Sequence, residues 1–286
     1  MILITLYKQN KILNRKNEDQ IMRKRTIAAI LTSVMIIGAL TGCGNKKSTS
    51  TDLLTSIKDA GVIKIGTEGT YAPYTYHDDN GDLVGYDVEI AEAVAEKLGV
   101  KAEFVETKWD SIIAGLDAKR FDLIANQVSI TEERQEKYSF STPYTYTRGA
   151  LVVAEANENI TKFEDLSGKK SAQSLTSNWG ALAESYGAEL VGTDGFNQSI
   201  ELVLAGRADA TINDNLTFYD YVKQKPESKV KIAALSEEVS SNAFLIRKDN
   251  DTFVKAINTA LDELVKDGTI KEISEKYFGV DVSTQE

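Results

Sequence analysis

The sequence predicts an α/β fold in which helices cover both faces of mainly parallel sheets. From residue 62 to residue 125, β-rich apolar runs alternate with segments of helical periodicity, in the order strand, helix, strand, helix, strand. A second series of such elements begins near residue 150 and does not repeat the first in sequence. The length of 286 residues and the hydrophobic content of 42% are enough for two lobes, each with its own core.

Charge and composition exclude several classes of function. The first 42 residues carry seven Lys/Arg against two Asp/Glu, which leaves 26 against 41, or a net −15, for the remainder. Such an acidic surface repels nucleic acid, so we expect no nucleic-acid partner. One cysteine, Cys43, and one histidine, His77, are too few for a disulfide framework or a thiolate zinc site, and no calcium-loop spacing occurs. We therefore expect neither a metal nor a cofactor.

Residues 1–42 are predicted to contain a secretory signal. The basic segment Met22–Arg25 precedes a 15-residue apolar stretch, Thr26–Leu40, which is shorter than the ~20 apolar residues of a spanning helix. An uncleaved membrane anchor is the alternative. Residues 1–21 have the features of neither a signal nor a domain, so Met22 is the expected start.

The motif Leu40-Thr41-Gly42-Cys43 resembles the bacterial lipobox. This resemblance implies that Cys43 is acylated and becomes the first residue of the mature protein. Two or three acyl chains hold a domain at a membrane far better than one. Residues 43–51 are then a lipidated tether, rich in Ser, Thr, Lys and Asn. We expect an extracellular, lipid-anchored protein of the Gram-positive type.

The first lobe is predicted to expose two loops at the carboxyl ends of its strands. The predicted elements are a helix over 52–60, a strand over 62–66, a helix from Gly85 to Gly99 capped by Asp87, a strand over 102–105, a helix from Lys108 and a strand over 121–125. Because such strand ends open onto ligand clefts, the loop containing Glu68 and Tyr71 and the loop beginning at Asn126 are candidate binding loops.

The stretch Asn126–Arg134 allows two interpretations. The planar guanidinium of Arg134 suits a carboxylate, since two parallel N–H bonds can reach both oxygens. Alternatively, Thr131 caps a short helix in a solvated turn, and Arg134 pairs with a surface acid. These nine residues by themselves favour the turn.

The second lobe contains two further candidate sites. Its predicted elements are crossing strands over 142–148 and 243–246, strands over 150–154, 171–175 and 210–214, and helices over 163–170, 176–186 and 199–205, with closing helices over 252–278. The helix start Thr176-Ser177-Asn178 offers free N–H groups, either as an anion site or as a plain cap. Asp214, at a strand end, is either a helix cap or a cation binder.

These pieces in this order resemble the solute-binding proteins of polar amino-acid ABC importers, over nearly all of residues 52–281. The motifs that carry the resemblance are residues 65–74, 85–90, 121–134, 140–144 and 205–210. It implies a type 2 periplasmic-binding-protein fold, in which two crossing strands join lobe 1 (52–145 plus 241–286) to lobe 2 (146–240). A monomer that delivers its amino acid to an ABC permease by hinge closure is also implied.

The resemblance implies a role for each site residue. The ligand α-carboxylate would be held by Arg134, the backbone of Ser129 and the amides of Thr176, Ser177 and Asn178; the α-ammonium by Asp214 and Gln127; and the remainder by the aromatic rings of Tyr71 and Trp109. Many family members have a glycine-containing turn where this chain has Thr176.

The motifs 107–110, 126–128 and 140–144 are most similar to the L-cystine-binding branch. Glu68 stands where binders of basic amino acids place an acid, which keeps lysine, arginine and histidine as alternatives. For cystine, Glu68 and Asn126 would serve the far end of the ligand. A dehydratase-type enzyme using Glu68 as general acid or base, and a sensor domain, are the rival functions. The resemblance favours a binding protein that is not an enzyme.

Overall fold

In the computed structural model of the protein, residues 52–285 are described. The predicted signal region, lipobox and tether lie outside them. The elements up to the first crossing strand are α1 (Leu53–Ala60), β1 (Val62–Thr67), β2 (Thr70–Tyr71), β3 (Thr75–His77), β4 (Leu83–Val84), α2 (Tyr86–Leu98), β5 (Lys101–Glu106), α3 (Trp109–Asp117), β6 (Leu123–Ile124), α4 (Glu132–Lys137) and β7 (Tyr138–Phe140).

The remaining elements begin with the first crossing strand. They are β8 (Thr145–Ala154), a 3₁₀ turn (Phe163–Leu166), β9 (Lys170–Gln173), α5 (Asn178–Ser185), β10 (Glu189–Gly192), α6 (Phe196–Leu204), β11 (Ala210–Asp214), α7 (Asn215–Gln224), β12 (Val230–Asn242), β13 (Leu245–Arg247), α8 (Asp251–Lys266) and α9 (Thr269–Phe278). Within residues 52–285 we find no helix whose length and apolar character would let it cross a membrane.

The first lobe is built on a sheet with the strand order β5-β1-β6-β13-β7. The strand β1 pairs in parallel with β5 and β6, whereas β13 is antiparallel to β6 and β7. Its core combines Ile63 and Ile65 of β1 with Ile90 of α2 and Phe253 and Ile257 of α8. Because β1 and β6 are parallel, their carboxyl ends lie at the same edge of the sheet. A separate small sheet, β2-β3-β4, follows β1 in sequence.

The second lobe is built on a sheet with the strand order β10-β9-β11-β8-β12. Alternate side chains of β8 enter different clusters: Ala150 and Val152 pack in one, Leu151 and Val153 in the other. Both faces of the sheet are therefore covered here, which explains why residues 150–154 of this strand are all apolar.

The strands β8 and β12 connect the two lobes; β8 is the predicted first crossing strand, whereas the second crossing is made by β12 and not by the predicted segment 243–246, which leads into β13 of the first sheet. They pair antiparallel from Thr145↔Asn242 to Val230↔Ala154, with a register shift between Leu235 and Val239. Each lies a few residues along the chain from a strand of the first sheet: β8 follows β7, and β12 precedes β13. The lobe limits at 145/146 and 240/241 stay a prediction.

Three other local expectations are wrong. Asp87 does not cap α2, because the N-cap is Gly85 and the Asp87 carboxylate turns into the protein interior. The first crossing strand begins at Thr145 instead of residue 142. The helix expected from Ser199 begins at Phe196, because that ring packs into the core against Tyr221, with 5.7 Å between ring centroids.

Candidate functional site

A cavity lies between the two lobes, beside the ends of β1, β6, β9 and β11. It encloses about 560 Å³ of space, counting the part open to solvent. Seven predicted site residues line it, namely Glu68, Tyr71, Trp109, Asn126, Gln127, Ser177 and Asn178. The other four, Ser129, Arg134, Thr176 and Asp214, are not in its lining. The structure thus brings together residues that are far apart in sequence at one cleft.

Arg134 is a buried guanidinium without an anionic partner. Its side chain lies 5.3 Å from the centroid of the Trp109 ring, and its Nη1 donates to the carbonyl of Ser129 at 2.9 Å. The residue is 8% exposed, and among residues 52–285 no acid lies within ion-pair distance of it. Burial lowers its pKa to about 10, so it is charged at neutral pH and can bind an anion.

The short helix that contains Arg134 is capped as expected. Thr131 Oγ1 accepts a hydrogen bond from the Arg134 N–H at 3.3 Å. The capping half of the solvated-turn interpretation is therefore confirmed. The surface ion pair in that interpretation is wrong, because the guanidinium turns inward to the Ser129 carbonyl.

Asp214 is a buried carboxylate at the end of β11, only 1% exposed. Its oxygens accept from Thr147 Oγ1 at 2.6 Å and from the Tyr71 hydroxyl at 3.2 Å. Burial raises its pKa to about 6. Asp214 occupies the N-cap position of α7 without a side-chain cap bond, so the side-chain cap is wrong. A buried carboxylate in this setting gains from a cationic partner.

Glu68 is held in place by Asn126. The side-chain amide of Asn126 donates to Glu68 Oε2 at 2.7 Å, and Asn126 Oδ1 accepts the Glu68 N–H at 2.7 Å. Burial raises the pKa of Glu68 to about 7. Asn126 is fully buried, so its role in the structure is to orient the carboxyl group of Glu68 in the cavity wall.

Gln127 presents an unsatisfied amide to the same cavity. It is 4% exposed, and neither its Nε2 nor its Oε1 has a hydrogen-bond partner in the described part of the chain. Its backbone has a left-handed φ of 50°, a conformation that costs a non-glycine residue about 1 kcal/mol or more. The N–H of Gln127 donates to Asp87 Oδ2 at 2.5 Å, and Tyr144 donates to the same oxygen at 3.1 Å.

Asp87 is consequently a support residue that sequence reasoning assigned to a different task. Its carboxylate is fully buried, and burial raises its pKa to about 7. By accepting the Gln127 N–H, it holds the strained turn at Gln127 in place. Only the fold reveals this, because the two residues are 40 positions apart.

Several contacts join the lobes across the cavity mouth. Thr176 does not face the cavity; its N–H and Oγ1 donate to Asp110 Oδ1 at 3.3 and 2.7 Å. The Tyr71 hydroxyl donates to Asn213 Oδ1 at 2.6 Å, and Lys108 and Asp194 form an ion pair at 2.8 Å. The two lobes are therefore in a closed arrangement.

Sequence reasoning missed most of the second-lobe wall. The residues it missed include Gln173, Ser174, Trp179, Gly195, Phe196, Ser199 and Asn213. Gln173, Ser174 and Asn213 could have been found by the strand-end rule, since they end or follow β9 and β11. Gly195 and Phe196 were hidden by the misplaced start of α6.

Two α/β lobes, crossing strands and a polar interlobe cavity define the class of two-lobed ligand-binding proteins. The model of bacterial extracellular solute-binding proteins, family 3, matches residues 63–280. The chain belongs to this family.

Relatives within this class are similar over nearly their whole length. A probable amino-acid ABC transporter-binding protein of Haemophilus influenzae is 46% identical over 89% of this chain and 98% of its own. The L-cystine-binding protein TcyA of Bacillus subtilis is 44% identical over 92% and 100%, respectively.

Solved structures agree with this assignment. The unliganded, open L-cystine solute receptor of Neisseria gonorrhoeae is 48% identical, covers 81% of this chain and 99% of its own, and has a TM-score of 0.56. A histidine-bound substrate-binding protein of an ABC uptake transporter from Streptococcus pneumoniae is 30% identical, covers 83% and 100%, and has a TM-score of 0.76.

Proposed function

We propose that this protein captures an amino acid, L-cystine in the first place, outside the cell and delivers it to an ABC permease. The observation that carries the proposal is the presence of Arg134 and Asp214 as buried, oppositely charged groups that have no ion partner among residues 52–285. An amino-acid zwitterion supplies a carboxylate for the guanidinium and an ammonium for the carboxylate. Both buried charges are then neutralised by one ligand.

The aromatic and amide residues would hold the rest of that ligand. Tyr71 and Trp109 line the cavity as π-faces, and Gln127 offers a free amide beside them. Ser129 supports Arg134 through its carbonyl. Ser177 and Asn178 begin α5 at the opposite wall.

Cystine is favoured over a single amino acid by the residues at Glu68 and Asn126. This pair places the Glu68 carboxyl group in the cavity wall, in addition to the buried Asp214 outside the lining, and the Glu68 carboxyl group suits a second ammonium group. TcyA and the gonococcal receptor, both named for cystine, are among the more similar relatives. A basic amino acid is the second candidate, since it also carries a second cation, and the pneumococcal relative binds histidine.

Hinge closure is the proposed mechanism of capture. Although the gonococcal receptor has the higher identity, the histidine-bound pneumococcal structure has the higher TM-score, which supports a closed arrangement here. In a two-state equilibrium a ligand shifts the population only through its stronger affinity for the closed form. Contacts from both lobes to one zwitterion supply this difference.

The remaining parts of the proposal concern location and partners. Acylation at Cys43 would anchor the protein at the outer face of the cell membrane, where a monomer meets its permease. A dehydratase-type enzyme would instead need Glu68 aimed at a reactive carbon. Incubation with amino acids followed by mass spectrometry would detect such turnover, and we expect none.

Thermal-shift measurements on the purified protein test the proposed ligand. We expect cystine at about 100 times its Kd to stabilise the fold by about 2.7 kcal/mol, which raises Tm by several degrees. Reduction of cystine to cysteine should remove most of the shift. If none of the amino acids, cystine included, raises Tm, the proposal is wrong; if only lysine, arginine or histidine does, the second candidate replaces the first.

A further inference from the structure

We infer that the N-terminus of α6 binds the second carboxylate of a ligand that has an amino-acid group at each end. This inference rests on the proposed function and assigns to the cavity a specificity site for the far end of the ligand. The site is the start of α6, where Gly195, Phe196 and Ser199 line the cavity on the side of the second lobe.

The start of α6 is an uncapped helix end in the cavity wall. The helix runs over Phe196–Leu204, nine residues, and no side chain of the described residues caps it at Gly195. The first N–H groups of a helix have no partner within the helix and carry a partial positive charge. Gly195, Phe196 and Ser199 all line the cavity, so this positive end is available to a ligand there.

The start of α5 at the same wall is different. There Ser177 Oγ accepts the Gly180 N–H at 2.9 Å, which satisfies one of the free donors. At α6 the nearby side chains are engaged elsewhere: Ser199 Oγ lies 2.8 Å from Thr193 Oγ1, and Gln198 Oε1 accepts the N–H of Asp194. The donors of α6 are thus left for a ligand.

A second, independent observation indicates that this cavity holds a polar ligand. Gln127 lies in the lining, is only 4% exposed, and neither of its amide atoms has a hydrogen-bond partner in the part of the chain that the structure describes. A buried amide left unpaired destabilises the fold unless a ligand pairs with it. The cavity is therefore shaped for a ligand with donors and acceptors on more than one side.

Charge matching then assigns the two ends of the ligand. Arg134 and Asp214 match the first carboxylate and ammonium, and Glu68 matches a second ammonium. Of the described residues that line the cavity, none is Lys or Arg. Lys108, beside Asp194, is occupied by their ion pair at 2.8 Å. The α6 end is consequently the group best suited to a second carboxylate.

Two disulfides that differ in a single carboxylate test this assignment. Cystine has both carboxylates, whereas the mixed disulfide of cysteine and cysteamine keeps both ammonium groups and lacks the second carboxylate. We expect calorimetry on the full-length protein to show at least about tenfold weaker binding of the mixed disulfide. Equal affinity would overturn the inference while leaving the proposed function in place.

A substitution at Gly195 tests the same group from the protein side. A Cβ at Gly195 would meet nothing within 4 Å, and its φ of 162° is ordinary extended backbone. In Gly195→Asp the new carboxylate caps α6 and occupies the place of the ligand carboxylate. We expect cystine affinity to fall at least about tenfold, the mixed disulfide to lose less, and Tm of the ligand-free protein to stay equal or rise.

Asn250→Asp is the matched control. It adds the same charge at the N-cap of α8, which does not line the cavity, so affinity for both disulfides should be unchanged. Equal losses of both ligands in Gly195→Asp would contradict a carboxylate-specific role. If wild-type protein binds neither disulfide, the proposed function fails and the inference fails with it. The wild-type comparison decides the matter even if a variant does not fold.

Discussion

The two walls of the cavity carry their recognition groups in different ways. The first lobe lines the cavity with Glu68 and Gln127 and buries Arg134 outside the lining, and each of the three is held by a buried neighbour. The second-lobe lining consists mainly of uncharged groups and helix starts, and the buried carboxylate of Asp214 lies outside it. In the proposed function, the first lobe would hold one end of an amino acid alone, whereas the second lobe would add selectivity and make closure depend on the ligand.

Removing the buried guanidinium of Arg134 should have the largest effect on ligand affinity. In Arg134→Ala we expect amino-acid affinity to fall by about 3 kcal/mol or more, because a ligand carboxylate would be buried without its partner. Isothermal titration calorimetry measures this loss. Arg120→Ala, which removes an exposed arginine of the same lobe, is the control and should bind normally. Near-normal affinity in Arg134→Ala would refute the carboxylate assignment.

Neutralising the buried carboxylate of Asp214 should weaken ligand binding less than the loss of Arg134 does. The same change should stabilise the ligand-free protein. In Asp214→Asn we expect a loss of about 2 kcal/mol in affinity, since the ammonium keeps a neutral acceptor. Burial raises the pKa of Asp214 from 3.8 to about 6, so the folded state holds this proton more tightly than the unfolded chain does.

The pH dependence of unfolding checks that reasoning. Ionisation of Asp214 lowers the unfolding free energy of the ligand-free protein as pH rises from 3.8 through about 6. Asp214→Asn should therefore be more stable than wild type by about 1–3 kcal/mol at pH 8, and the gain should disappear near pH 4. Denaturant titrations at both pH values provide the comparison. A variant less stable at pH 8 would contradict a destabilising buried charge.

Removing a contact between the lobes at the cavity mouth should have the smallest effect on ligand binding. Asp110→Ala removes the acceptor of two bonds from Thr176, and because these groups are exposed we expect only about 0.5–1 kcal/mol. The loss should be visible as a severalfold faster ligand dissociation in stopped-flow fluorescence. Asp117→Ala, which removes a bond to Tyr138 within the first lobe, should leave dissociation unchanged. Equal rates in both variants would show that the mouth contact does not hold the closed state.

A site residue could be placed from the sequence where its position depends on nearby residues, and could not where it depends on a distant partner. The loop after β1 and the turn from Asn126 to Arg134 were located by strand ends, and the capping role of Thr131 was confirmed. Thr176 was assigned to the ligand, but in the structure it bonds to Asp110, 66 positions away. No spacing within its own segment indicates such a partner.

Sequence alone determined the α/β class, the alternation of the main strands and helices of the first lobe, and the polar residues at the strand ends. These depend on periodicity, caps and glycine stops within a few residues. Tertiary structure decided that Asp87 supports Gln127 instead of capping a helix, that Tyr71 reaches Asn213 across 142 positions, and that the α6 start faces the cavity. The physical reason is that burial and hydrogen-bond satisfaction depend on neighbours that only the folded chain brings together.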